Sequence, residues 1–217
     1  MSSTRTASLM FFHTSPAHIA TFNALRDALA PNRDIGHIVR EDLLCAVRKA
    51  GQVTTAIEIR LAEALNKAAE EGATRIVCTC SSLGGVAEAA DVAGADVMRI
   101  DRPMVRQAAR IGGRIAVCAV LAETLGPTLS LVDEEVTASG RVSEVRPHVF
   151  EGVWDDFVGG RRRNYYEGIA ARLREVAVEA DVIVLAQASM APAADLCADI
   201  PVPILSSPQL GFLAAIA

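Results

Sequence analysis

"TRIVCTCSSLGG", Thr74 to Gly85, decides the reading of this chain. A short apolar run ends in two cysteines and two serines, and a glycine pair then leads into an apolar helix. That is the strand-turn-helix step of a parallel sheet. Open parallel sheets bind their ligands at the C-terminal ends of the strands, so the turn that carries Cys80 is where chemistry is expected. Cys78 and Cys80, two apart, share a face. Cys80 sits at the turn, where the N–H groups and positive dipole end of the next helix draw negative charge, whether thiolate or carboxylate.

Outward from that stretch, strands and helices alternate. "SLMFFHTSP" reads as a strand, "AHIATFNALRDAL" as a helix and "DIGHIV" as a strand. "TTAIEIRLAEALNKAAEEGA" is a long helix stopped by Gly72. After "TRIVCTC" come a helix from near Ser82, the strand "ADVMRID" and the helix "PMVRQAARIGG". The order then repeats. "GRIAVCAV", "RVSEVRPHVF" and "DVIVLAQASM" read as strands; "AETLGPTLSLVDE", "RNYYEGIAARLREVAVEA" and "APAADLCADI" read as helices. Ile183 follows Ile76 by 107 positions, and the same shift sets Gln187 on Cys80, Ser189 on Ser82 and Met190 on Leu83.

The repeat implies an α/β fold of two similar Rossmann-like βαβ lobes with mainly parallel sheets and the site in the crevice between them. The first lobe is expected over residues 1–100, with about 206–217 crossing back to it, and the second over residues 101–205. "IGHIVREDLLCAVRKAG" and "VSEVRPHVFEGVWDDFVGG" read alike as strand, loop and closing glycine. Asp133 to Arg163 reads as the least regular region, a candidate cover for the cleft.

Composition narrows the function. The 217 residues are 51% hydrophobic and 22% charged, a globular balance, and the net charge of −5 argues against a nucleic-acid partner. "GRRRNYY" is too short a basic run to change that. No segment is apolar for long enough to span a membrane, and His13 interrupts the apolar run of "MSSTRTASLMFFHTS" too early for a signal-peptide core, so a cytoplasmic protein is expected. Five cysteines at irregular spacing fit reduced thiols. Cys45, Cys78, Cys118 and Cys197 read as small hydrophobic residues. No second C-x-C or H-x-x-x-H cluster supports a zinc site, and neither G-x-G-x-x-G nor a P-loop is present, so no metal, nucleotide or other cofactor is expected.

"RIVCTCSS" resembles the first motif of the aspartate/glutamate/hydantoin racemase superfamily, which includes maleate isomerases and arylmalonate decarboxylases: a strand ending in cysteine followed by Asn/Ser and Thr/Ser. "RIAVCAVLAETL" is similar to the corresponding strand of the family's second lobe. The resemblance implies that Cys80 is catalytic beside Ser81 and Ser82, and that Thr124 holds the substrate carboxylate. It also implies two lobes that each present a cysteine to a small carboxylate, and a homo-oligomer, a dimer or larger. The second motif departs from the family's "VLGCAGM": here "VLAQASM" puts Gln187 where the second cysteine is expected.

A two-thiol racemase needs a base on one face of the α-carbon and an acid on the other, and an amide does neither. Three functions therefore stand. The first is a cofactor-independent racemase or isomerase acting beside the carboxylate of a small acid or amino acid, with Cys80 as acid/base and, at the second face where Gln187 stands, a water or a hydroxyl such as Ser189. The second is a one-thiol decarboxylase of a substituted malonate, or a cis-trans isomerase in which Cys80 adds to a double bond. The third is a catalytically degenerate carboxylate-binding protein. His13, Thr14 and Ser15 of "HTSP" are further candidates for contact with the acid, as are Ser206 and Ser207. A thiol hydrolase pairing Cys80 with His13 is weighed too. Arg161 to Arg163 read as a solvated helix start that could also reach a second carboxylate.

Overall fold

The computed structural model describes residues 7–217. Residues 1–6, part of the stretch read for a signal-peptide core, lie outside the described residues. The chain divides into two compact units, one running to Ile100 and taking back Gly211–Ala217, the other covering Asp101–Leu210.

The first unit is built from β1 (Leu9–His13), α1 (Ala17–Leu29), β2 (Ile35–Val39), α2 (Glu41–Ala50), α3 (Thr55–Glu70), β3 (Arg75–Cys78), α4 (Ser81–Ala89) and β4 (Asp96–Arg99). Its four strands are all parallel in the order β2-β1-β3-β4. Every residue of β1 is buried, as expected of a central strand covered on both faces. The alternation of strand side chains sends Met10, Phe12, Ile76 and Cys78 into one core with Leu61, Leu65 and Leu83. Leu9, Phe11 and Val77 enter a second core with Phe22 and Phe212. There Phe11 stacks on Phe22 with ring centroids 4.5 Å apart.

The second unit repeats the design with α5 (Arg102–Ile111), β5 (Gly113–Ala119), α6 (Leu125–Ser139), β6 (Ser143–Val149), α7 (Trp154–Val158), α8 (Arg162–Ala177), β7 (Val182–Leu185), α9 (Ala191–Ala194) and β8 (Ile204–Ser206). α10 (Ser207–Ile216) begins in this unit and ends in the first. The order β6-β5-β7-β8, again all parallel, is that of the first sheet. Ala116, Cys118, Ile183 and Leu185 face one core, and Ile115, Val117, Val182 and Val184 the other.

Four sequence expectations are corrected. Arg40 to Gly51 is not a loop: Leu43, Leu44, Ala46 and Val47 recur at helical spacing in α2, which Gly51 ends in the left-handed conformation (φ 72°). Asp133 to Arg163 is largely regular, because α6 continues to Ser139, where Gly140 stops it, and β6 and α7 follow. "APAADLCADI" yields only the four-residue α9; beyond it, i→i+3 turns at Leu196 and Cys197 replace the helical ladder. Cys45, read as a small buried hydrophobic residue, is exposed. Among the described residues no helix is long and apolar enough to cross a membrane.

Candidate functional site

Thr79, Cys80 and Ser81 follow directly on β3. Cys80 is the N-cap of α4, in extended conformation (φ −102°, ψ 114°), and its carbonyl accepts the Leu83 N–H at 3.2 Å. It is 8% exposed and free of any disulfide, and its thiol has no hydrogen-bond partner among the described residues. Cys78, fully buried, points its thiol at the Cys80 carbonyl (3.7 Å). Ser81 and Ser82 open α4, both half-buried.

Behind Thr79 lies a polar chain, buried at His13 and half-buried at His37 and Asn23. His13 Nδ1 is 2.8 Å from Thr79 Oγ1, His13 Nε2 is 2.9 Å from His37 Nδ1, and His37 Nε2 is 3.1 Å from Asn23 Oδ1. The Thr79 O–H donates to the Phe12 carbonyl (3.1 Å), so its oxygen accepts from His13 Nδ1–H, and His13 Nε2 in turn accepts from His37 Nδ1–H. His18 adds a third ring, its centroid 6.1 Å from that of His13. Burial first, then the neighbouring His37 and His18, hold His13 down at about 3. Burial lowers His18 as well, and burial followed by the Arg26 charge lowers His37. Fully buried with both nitrogens engaged, His13 supports Thr79; in this arrangement it is not a donor to a ligand. His37 and Asn23 were not legible as site residues, since mid-strand and mid-helix positions carry no motif.

Thr14 and Ser15 follow β1. Thr14 is buried, 7% exposed, and Ser15 half-buried, its Oγ accepting the Ala17 N–H at 3.4 Å. Ser207 is buried and Ser206 half-buried, at the junction of β8 and α10. The arginines at the start of α8 are held locally. Arg161 pairs with Asp156 (2.6 Å), Arg163 with Glu167 (2.7 Å), and Arg162 lies over the Phe157 ring (3.4 Å).

In the second unit Gln187 ends β7. Its Oε1 accepts the backbone N–H of Val120 at 2.8 Å and of Leu121 at 3.1 Å, so the side chain ties the end of β7 to the end of β5. Ser189 Oγ lies 2.9 Å from the Tyr165 hydroxyl, and burial, ahead of other influences, pushes that phenol up to about 12. The Thr124 hydroxyl donates to the Leu121 carbonyl at 2.7 Å, which commits its one proton within the turn. Cys118 is sealed in the core and burial pushes its thiol up to about 12. Among the described residues, no group of three or more His, Cys, Asp or Glu side chains is placed to hold a metal ion.

Doubled parallel sheets of one strand order, with Cys80 at the N-cap of a helix at a strand end in one unit and Gln187 in the same register in the other, define a two-unit α/β protein with a strand-end thiol. Residues 21–215 match the model of the Asp/Glu/Hydantoin racemase family, and the chain belongs to that family. No curated protein matches the sequence. Solved structures agree in fold. The aspartate racemase of Picrophilus torridus aligns over 97% of this chain and 93% of its own, with a TM-score of 0.66 at 11% identity. The allantoin racemase of Klebsiella pneumoniae covers 96% and 85%, with a TM-score of 0.61 at 16% identity. A glutamate racemase of Bacillus anthracis covers 97% and 80%, with a TM-score of 0.62 at 14% identity.

Proposed function

We propose that the protein is a cofactor-independent racemase or isomerase that acts at the carbon next to the carboxylate of a small acid, with Cys80 as its acid/base thiol. The observation that carries this reading is the setting of Cys80. It is an unpartnered thiol at the C-terminal end of a parallel strand, at the mouth of a nine-residue helix with no acidic residue in its first turn, in a chain of the racemase family.

In the forward step the Cys80 thiolate takes the α-proton: the C–H bond breaks, an S–H bond forms, and the electron pair moves into the carboxylate as an enediolate. N–H dipoles at the strand ends stabilise that charge as it develops. Return of the same proton regenerates the starting enantiomer; return of a proton from water, through exchange at sulfur, labels the α-carbon.

A second reading has its own support. Gln187 stands in the register of Cys80, and its oxygen is committed to two backbone N–H groups, so the second unit offers no thiol there. A single thiol suits one-face proton exchange, or the decarboxylation of a substituted malonate, in which Cys80 needs only to protonate the carbanion left by CO₂ loss.

Proton NMR in D₂O with aspartate, glutamate, hydantoins, maleate and substituted malonates separates the readings. Deuterium at an α-carbon together with growth of the opposite enantiomer supports racemisation, and deuterium without inversion supports one-face exchange. Loss of CO₂ supports decarboxylation. Binding of acids with no chemistry would leave a carboxylate-binding protein.

A further inference from the structure

Cys78 and Cys80 stand two apart where β3 ends, and strand alternation sends both side chains into one core, with Phe12, Ile76 and Leu83. The Cys78 thiol leans forward along the chain and donates to the Cys80 carbonyl at 3.7 Å. Cys78 is the last residue of β3, and Cys80 continues the extended conformation. Residues i and i+2 of an extended chain lie about 6.6 Å apart at Cα, inside the roughly 4.4–6.8 Å that a disulfide spans.

The two thiols differ in access and in freedom. Cys80 keeps 8% of its surface exposed, whereas Cys78 is sealed. The Cys78 carbonyl accepts the Ile100 N–H at 2.9 Å, and the Thr79 N–H donates to the Phe12 carbonyl at 2.9 Å. The sheet ladder thus holds the chain as far as Thr79, and Cys80 is the first residue beyond it. Turning the peptide that joins Thr79 to Cys80 swings the Cys80 sulfur toward Cys78 without breaking either of those strand bonds.

The second unit shows what the position of Cys78 requires for packing. Leu185, 107 positions on, takes that place and is fully buried in the corresponding core. An apolar side chain therefore satisfies the fold, and a thiol adds chemistry that packing does not call for. With Leu185 and Gln187 in the matching register, the second unit has no such pair; the dithiol belongs to the unit that carries the strand-end cysteine.

We infer that Cys78 and Cys80 form a redox-sensitive dithiol, which a hydroperoxide converts into a Cys78–Cys80 disulfide. The Cys80 thiolate attacks one peroxide oxygen: an S–O bond forms, the O–O bond breaks, and the leaving oxygen departs as water after taking up a proton. Cys78 then attacks the Cys80 sulfur of the sulfenic acid: the S–S bond forms, the S–O bond breaks, and the Cys78 proton leaves with the hydroxyl as a second water. Two thiols are oxidised and one peroxide is reduced. The consequence for turnover rests on the acid/base reading of Cys80. The bridge withholds that thiol, and being reducible it spares Cys80 from sulfinic acid, which a thiol reductant does not restore.

The test uses the full chain carrying Cys45→Ser, which removes the exposed thiol. The folded protein is treated with hydrogen peroxide, blocked with iodoacetamide in urea and digested with trypsin without reductant. One tryptic peptide, Ile76–Arg99, holds both cysteines. It is expected to be lighter by two hydrogens and to carry no blocking group, and dithiothreitol should return two alkylatable thiols. With Cys78→Ala added, Cys80 should instead gain oxygen, and dithiothreitol should recover at least about tenfold less Cys80 thiol after prolonged exposure. Cys78→Val serves the same purpose if the alanine variant does not fold.

The peptide mass alone decides the pair, with or without an acid substrate in hand. A peptide in which Cys80 takes up oxygen while Cys78 stays alkylatable, or in which both thiols stay alkylatable at millimolar peroxide, would overturn it. A disulfide that leaves turnover of an acid intact would retain the pair and remove the acid/base reading of Cys80. Turnover lost to peroxide with no disulfide and no recovery in dithiothreitol would remove the pair and leave that reading standing.

Discussion

His13 Nε2 lies 2.9 Å from His37 Nδ1, a contact in which one of the two nitrogens must be without a proton, so the rings are not both charged. Charging both rings would set N–H against N–H and place two cations side by side in a partly buried site. In the unfolded chain each histidine takes a proton near pH 6.5; in the folded protein His13 does not until about pH 3, and His18 and His37 are also lowered. From about pH 6.5 down to the folded value the unfolded state binds more protons, so stability falls as pH falls. The Tm is expected to drop between pH 7.5 and pH 5, with a shallower drop in His13→Gln. A wild-type Tm that is flat or rises over that interval contradicts the neutral chain.

Gln187 is expected to matter for stability within its own unit. Gln187→Ala leaves the Val120 and Leu121 N–H groups without their acceptor, a cost of about 1–3 kcal/mol for half-buried donors. Gln187→Glu, which keeps an oxygen in place, should lose less. Urea unfolding at pH 7.5 would measure both, and an alanine variant as stable as the wild type would show that water replaces the amide oxygen without cost.

The cysteines should separate under alkylation. Iodoacetamide at pH 8 attacks thiolate that it can reach. Cys45 is exposed, whereas Cys118 is sealed, its thiol pushed up to about 12. Peptide mass spectrometry of the folded protein should find Cys45 modified and Cys118 intact; early modification of Cys118 would mean that the core around β5 opens readily.

Much of the fold was legible because its signals are local. "LMFF" and "IVC" are uninterrupted apolar runs, as expected of central parallel strands, and "AHIATFNALRDAL" coincides with α1. α2 was missed because it follows β2 after the single residue Arg40 and opens on charged Glu41 and Asp42, which masked the spacing of Leu43, Leu44 and Val47. The site was legible only in part. Cys80 announces itself by residue type at a strand end. His37 joins His13 only through strand register, in which Phe11 pairs with His37 and His13 with Val39. The donors of Val120 and Leu121 are backbone groups that no letter of the sequence marks, so Gln187 read as a lost thiol before its oxygen was seen on them.

The most direct test of the central claim compares wild type with Cys80→Ala by proton NMR in D₂O, using whichever acid of the panel exchanges. Cys80→Ala is expected to lower α-deuteration by at least about 10², the scale of a lost general acid/base, with its Tm within a few degrees of the wild type. A Cys80→Ala variant that still exchanges the α-proton at the wild-type rate would contradict the thiol mechanism.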